Sequence, residues 1–173
     1  IDENIWCGDG SDGDQTFGSV FNINQNSTPN RSHPDGANYV VMAINGDAIQ
    51  LAEPPLGIAA GDEILLINLQ GTPAQHASVG TFEFGYVTAV NNDTIVLDTP
   101  IDGVYGEIDN ANLSGQAIMV QRIPNYGNVS IEATGSLTAD PFDGLTGGVL
   151  AFRSLGNVVV LPGGLLQLED AAE

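Results

Sequence analysis

Apolar and polar positions alternate in short runs along this chain, and turn residues end each run before a helical period is established. Residues 39–44, 48–51, 63–69, 81–90, 94–98 and 115–123 are β-rich runs of strand length. Asn45-Gly46 between the first two is a strong hairpin signal, and Asn91-Asn92-Asp93 turns the chain between 81–90 and 94–98. Phe82, Phe84 and Tyr86 share one face of their run at period two, and alternating Phe of this kind reads as core. The last third is more regular. Residues 129–132, 136–138, 148–153, 157–161 and 165–168 read as short strands, separated by Thr134-Gly135, Leu155-Gly156 and Gly163-Gly164. With 22 glycines and nine prolines spread along the chain, almost no helix is expected.

Ahead of these runs, residues 8–13 form a Gly/Asp/Ser loop, 16–23 alternate as a first strand, and 24–38 are polar with Pro29 and Pro34. The chain therefore reads as one domain over 1–173, with a loop-rich arm at 1–38 and a β core at 39–173. The expected fold is all-β, a mostly antiparallel sandwich or jelly-roll-like arrangement in which 61–98 form a small curled sheet. The alternative is a small barrel leading into β-solenoid coils. A loose phrase, x-V-x-V-x-x-G-G-x-L, recurs at 128–137 and 158–166, and fits either two antiparallel hairpins or the opening coils of a solenoid.

Charge narrows the function. Twenty-two acidic residues face three arginines (Arg31, Arg122, Arg153) and no lysine, a net charge of −19. That balance excludes phosphate-backbone recognition, which needs clustered Lys and Arg, and it disfavours anionic membranes. No stretch approaches the roughly 18 apolar residues of a membrane span, so no insertion is expected. Only 14% of residues are charged, so Asn, Thr, Ser, Gln and attached glycans are the candidates for keeping the surface wet. The opening Ile-Asp-Glu-Asn carries no basic n-region and reads as a mature secreted product, which points to an extracellular location. The lone Cys7 cannot form an intrachain disulfide; it reads as a small buried hydrophobe or as a partner for another chain.

Candidate chemistry is sparse. Asp9, Asp12 and Asp14 lie in a Gly-rich loop that suits Ca²⁺, a cation that takes six to eight oxygen ligands, although the spacing is not that of an EF-hand. Asp140, Asp143 and the group Asp98, Asp102, Asp109 are weaker versions of the same pattern. His33 and His76 sit in polar loops and would have to meet to form a zinc or catalytic site. No pair of acids is marked out for glycoside hydrolysis, and no enzymatic activity is expected. Five Asn-x-Ser/Thr triplets begin at Asn26, Asn30, Asn92, Asn112 and Asn128, and are candidate glycosylation sites if modified in the source.

Three segments carry a resemblance. "AAGDEILLINLQG" at 59–71, "TFEFGYVTAVNNDTIVLDTPI" at 81–101 and "IPNYGNVSIEATGSLTADPFDGLTGGVLAFRSLGNVVV" at 123–160 occur in that order. They resemble an N-terminal β-rich module of large secreted and cell-surface bacterial proteins. Gly144, Thr146, Gly147, Gly148, Phe152 and Arg153 fall in register with its last segment, and the Gly8–Gly13 loop is similar to its start. The resemblance covers about two thirds of the chain. It implies an extracellular, non-enzymatic role and no catalytic residues.

The reading that follows is an extracellular structural protein, a subunit or module of a cell-surface filament, layer or adhesin. Its expected partner is itself, through strand donation. The apolar run 157–168, with Val158, Val160 and Leu165, would be an assembly edge if left open, and Ile1, Ile5 and Trp6 would supply a reaching strand. The alternative is a carbohydrate-binding module with a calcium loop, using Phe82, Phe84, Tyr86 and Trp6 as a platform; a second is a fragment of a secreted hydrolase.

Overall fold

The computed structural model describes residues 8–168. The fold is all-β, with no helix among the described residues. Its contacts divide the chain into two units. Among the described residues, one comprises 8–36, Ile123–Phe142 and 147–168, the other Ala37–Arg122 and Asp143–Thr146. Within the all-β class, the strand order matches the expected alternative: a closed barrel in one unit and parallel solenoid coils in the other.

The first unit opens with β1 (Gln15–Phe17) and β2 (Val20–Asn22). The barrel unit follows, with β3 (Asn38–Asn45), β4 (Ala48–Leu51), β5 (Glu63–Gln70), β6 (Phe82–Asn91), β7 (Thr94–Leu97) and β8 (Ala117–Arg122). They close in the order β3-β4-β7-β6-β5-β8, and every pair is antiparallel. Two tight hairpins set the register. Gly46 takes a φ of 65° between β3 and β4, and Asn92 takes 55° between β6 and β7, a left-handed conformation Gly and Asn tolerate. Inward residues fill the barrel, among them Ile44, Ile49, Ile64, Leu66, Val87, Ile95, Ile118 and Val120. Gly85 faces inward because a Cβ there would meet Leu97 Cδ1 at 2.9 Å. Tyr105, fully buried, donates from its phenol to the Leu66 carbonyl at 3.3 Å. Burial, then the Glu83 carboxylate, push that phenol's pKa up and keep it a donor.

The first unit resumes with β9 (Asn125–Tyr126), β10 (Val129–Ile131), β11 (Ser136–Thr138), β12 (Arg153–Ser154), β13 (Val158–Val160) and β14 (Leu165–Leu166). All its pairs are parallel. The sheets are β1-β10-β13, β2-β11-β14 and β9-β12. Val129 pairs with Val158 and Ser136 with Leu165, so the chain returns to the same place after 29 residues (129 to 158). That is a solenoid, and the recurring phrase marks successive coils rather than hairpins. Paired residues of parallel strands face the same side, so side chains stack in columns. Phe17, Ile131 and Val160 form one column; Phe21, Leu137 and Leu166 form another. Phe17, Ile131 and Leu137 are core residues, joined by Tyr126, whose ring lies edge-on to Phe17 at 5.9 Å.

Three readings of the sequence change here. Residues 16–23, expected as one first strand within a loop-rich arm, hold parts of two strands, β1 and β2, whose partners lie more than 100 positions away, at β10 and β11. Of the strand expected over 148–153, only Arg153 is extended as a strand, because Gly147 and Gly148 take φ values of 84° and 76°. Phe82 and Phe84 are exposed on the outward face of β6, at 59% and 45%, instead of in the core. Alternation identified their common face correctly but not which face is wet.

Candidate functional site, an open parallel edge

Each three-stranded sheet of the solenoid unit has two outer strands, β1 and β2 before the middle coil and β13 and β14 after it. In the middle coil, Val129, Ile131 and Leu137 are at most 1% exposed. Their counterparts one coil later are Val158, Val160 and Leu166, and these are exposed at 44%, 41% and 44%. The residue types still suit a core; the neighbouring layer is what differs. β12, β13 and β14 are the edge strands of their three sheets.

The backbone follows the same logic. Val129 donates to the Asn157 carbonyl at 2.8 Å, and Leu161 donates to Ile131 at 2.9 Å. Because N–H groups alternate sides along a strand, those of Val158 and Val160 point away from β10. Leu165 and Gln167 donate to Gly135 and Leu137, which turns the N–H of Leu166 outward in the same way. An apolar parallel edge of this kind is rare, since parallel strands are ordinarily covered on every side.

A polar ladder runs down one turn of the coils. Asp14 Oδ1 accepts from the Asn128 backbone N–H at 2.6 Å, and Asn128 Oδ1 accepts from that of Asn157 at 3.0 Å. In parallel, Gln15 donates to the Asn128 carbonyl and Val129 to the Asn157 carbonyl, both at 2.8 Å. Each coil thus presents one side-chain acceptor to the amide of the next. Asn157 holds that position on the exposed edge.

The residues singled out from sequence fall as follows. Val158 and Val160 lie on β13 and Leu165 on β14, all three exposed; Ile1, Ile5, Trp6 and Cys7 lie outside the described residues. Asp9, Asp12 and Asp14 each serve a backbone amide. Asp9 Oδ1 accepts from Ser11, Asp12 Oδ2 accepts from Asn125 at 2.7 Å, and Asp14 accepts from Asn128. They lay the loop along β9 as the first rung of that side. No group of three or more His, Cys, Asp or Glu side chains placed to hold a metal ion occurs among the described residues. Calcium at this loop rests on the sequence alone. Asp98, Asp109 and Asp143 likewise accept from nearby backbone amides, and Asp140 accepts from the Asn22 side chain.

The five sequon asparagines, Asn26, Asn30, Asn92, Asn112 and Asn128, are all exposed. Asn128 differs from the rest, since its Nδ2 donates to Asp14 at 3.1 Å and its Oδ1 belongs to the ladder. His33 contacts Ser32 at 3.0 Å, and His76 is exposed in the loop after β5. Asn157 and Leu166 lay within the apolar run 157–168 but were not singled out from the sequence. The available signal was the 29-residue spacing of Asn128-Val129 and Asn157-Val158.

A buried ionic cluster braces the same unit. Asp35 is fully buried and accepts from the Thr28 N–H at 2.9 Å, the Thr28 hydroxyl at 3.1 Å and the Tyr126 hydroxyl at 2.8 Å. Arg31 lies between two carboxylates, 3.7 Å from Asp35 and 4.0 Å from Asp12. The cluster fastens the loop after β2 to the coil that carries β9.

No family model matches the chain, and no curated protein matches it. Three solved structures are similar to it. The tailspike protein gp49 of Pseudomonas phage LKA1 shares 13% identity over 74% of this chain and 22% of its own, with a TM-score of 0.37. The Gp54 tailspike of Acinetobacter baumannii bacteriophage AP22, solved in complex with A. baumannii capsular saccharide, shares 14% over 76% and 23%, with a TM-score of 0.36. Tailspike gp61 of Pseudomonas phage phi297 shares 14% over 88% and 24%, with a TM-score of 0.37. The chain therefore spans under a quarter of the length of each of these three structures. No helix among the described residues is long and apolar enough to cross a membrane.

Proposed function

We propose that this chain is a structural module of an extracellular filament, layer or adhesin, joined to its neighbours by β-strand addition at the edge formed by β12, β13 and β14. One observation carries the reading: core-type residues of the last coil, Val158, Val160 and Leu166, are exposed where their equivalents one coil earlier are buried. Unpaired backbone groups and an apolar row on one edge are what strand addition uses, the first for affinity and the second for register. The acidic, lysine-free composition and the resemblance to surface-protein modules support the location. Replacing Val160 by Asp puts a charge into that row while leaving its column neighbour Ile131 unsubstituted. Light scattering and negative-stain imaging should show wild-type assemblies that V160D lacks, with an unchanged far-UV spectrum. A wild-type chain that stays monomeric at high concentration, or a V160D that assembles equally, sinks the proposal.

A second reading has its own observation. Phe82, Phe84 and Tyr86 form an exposed aromatic row on β6, a surface of the kind on which sugar rings stack. Binding to purified bacterial polysaccharides should then fall sharply in Phe82→Ala and Phe84→Ala. Equal binding by wild type and both variants would remove this reading.

A further inference from the structure

We infer that the ligand of the aromatic row on β6 is a glycan whose sugars carry free amines, held by the ring faces and by the carboxylates beside them. The inference rests on the second reading above and names the class of sugar. Phe82, Phe84 and Tyr86 are exposed at 59%, 45% and 49%. They stand at every second position of one strand, so the row runs about 13 Å at roughly 3.3 Å per residue. A chain of repeating units suits that length better than a single small head group.

The rings are not coplanar. Phe82 and Phe84 lie at 80° to one another, with centroids 6.0 Å apart. A flat platform of parallel rings would hold pyranose rings by stacking alone. Two perpendicular rings form a corner instead. One π face meets the apolar C–H face of a sugar, and the other is turned toward whatever that sugar carries. A π face is the negative side of the ring and attracts a cation within about 6 Å of its centroid. An ammonium on the sugar is the substituent that uses both faces of the corner.

Charge along the row selects the same ligand. At the Tyr86 end, Asp98 is exposed, and its Oδ1 accepts from the Tyr86 N–H at 3.1 Å. At the Phe82 end, Glu83 accepts from the Asp102 and Gly103 N–H groups, both at 3.2 Å, which brings Asp102, also exposed, alongside β6. No basic side chain of the barrel unit offsets them. Arg122 is the one Lys or Arg in 37–122 and 143–146; it is 4% exposed and donates from Nε to Asp62 at 2.7 Å. Acidic glycans are therefore repelled and neutral ones gain nothing from the carboxylates, whereas a chain of amino sugars gains from rings and carboxylates together.

Three oligosaccharides of equal length separate these cases: glucosamine hexamer, N-acetylglucosamine hexamer of the same linkage, and galacturonic acid hexamer. Each is titrated calorimetrically into the full chain at mildly acidic pH, where the sugar amines are protonated, and at about 0.15 M salt, which screens long-range attraction. Glucosamine hexamer should bind about three- to tenfold more tightly than its acetylated counterpart, the worth of one exposed cation–π contact with a surface ion pair. Phe84→Ala should abolish binding. Phe84→Leu, which keeps apolar bulk but has no π face, should erase the preference for the amine. Asp98→Asn should weaken the glucosamine hexamer, while Asp109→Asn, the same loss of charge in another loop, should not. Far-UV spectra check that each variant folds, and Phe82→Ala repeats the test at the neighbouring ring.

Equal binding of the amine and acetylated hexamers, lost in Phe84→Ala and Phe82→Ala, overturns the amino-sugar inference while the carbohydrate reading stands. So does tighter binding of the galacturonic acid hexamer that those variants lose. Glucosamine hexamer bound equally by wild type and both ring variants, or no difference between Asp98→Asn and Asp109→Asn, marks diffuse attraction to an acidic surface and overturns the inference. No binding of any hexamer overturns the inference and the aromatic-row reading with it.

Discussion

Replacing Asp35 by Ala should destabilise the solenoid unit severely. The carboxylate is fully buried and accepts three hydrogen bonds, two from Thr28 and one from the Tyr126 hydroxyl, with the Arg31 guanidinium 3.7 Å away. Removing it strands three donors and leaves Arg31 without this partner. Breaking a buried charge pair by deleting one member costs about 3–5 kcal/mol, a large share of the roughly 5–15 kcal/mol that holds a domain together. Asp35→Asn keeps the shape and one acceptor but loses the charge facing Arg31, so its cost should be smaller, about 1–3 kcal/mol. Urea unfolding followed by far-UV circular dichroism gives the total. Hydrogen exchange locates it, since 1.4 kcal/mol is a factor of ten. Amides of Val129 and Ile131 should exchange roughly 100- to 4,000-fold faster in Asp35→Ala, with a smaller change at Ile49 and Ile95 in the barrel. A variant within about 1 kcal/mol of wild type would refute the argument that this cluster braces the coils.

Three further outcomes follow. Ile131→Ala should cost about 2–5 kcal/mol in chemical denaturation, whereas Val160→Ala at the next level of the same column should cost under about 1 kcal/mol in the unassembled protein. Equal costs would mean the edge is already covered. Gly135→Ala should fail to fold or lose more than about 2 kcal/mol, because a Cβ there collides with the Phe17 carbonyl oxygen; a wild-type melting temperature would contradict this. The Thr146 and Leu145 amides, in that order, hold the Asp143 carboxyl below its ordinary value of 3.8. A lowered native value stabilises the loop 143–146 above the unfolded pKa, and that gain disappears as pH falls through the native one. NMR titration should find Asp143 ionising below 3.8, and a value above it would reverse the sign.

The strands and the two tight hairpins of the barrel unit were legible in the sequence, though their closure into a barrel was only the alternative reading, because half-buried antiparallel strands write their two faces as alternation and their turns as Asn and Gly. The pairs β3–β4 and β6–β7 stand where 39–51 and 81–98 place them. The solenoid was legible only as a repeat. Its strands are two or three residues long, too short for alternation to fix a face. β1 pairs with β10, so the contact skips the whole barrel sequence. Phe82 and Phe84 show the complementary limit, since a period of two is the same whichever face meets water. The apolar run at 157–168 was readable as an edge, but Asn157 became a ladder position only once Asn128 and Asn157 were known to lie in successive coils.

Site-resolved hydrogen exchange at the Val158, Val160 and Leu166 amides tests the open edge most directly. These groups point away from their only paired neighbours. In dilute protein shown to be monodisperse they should exchange nearly as fast as an unstructured chain, while Val129 and Ile131 stay protected. In the concentrated, assembled protein the same three amides should become protected by a factor of at least about 100, the signature of strand pairing. Strong protection in the monodisperse protein, or fast exchange in both states, would contradict an edge that is open and used.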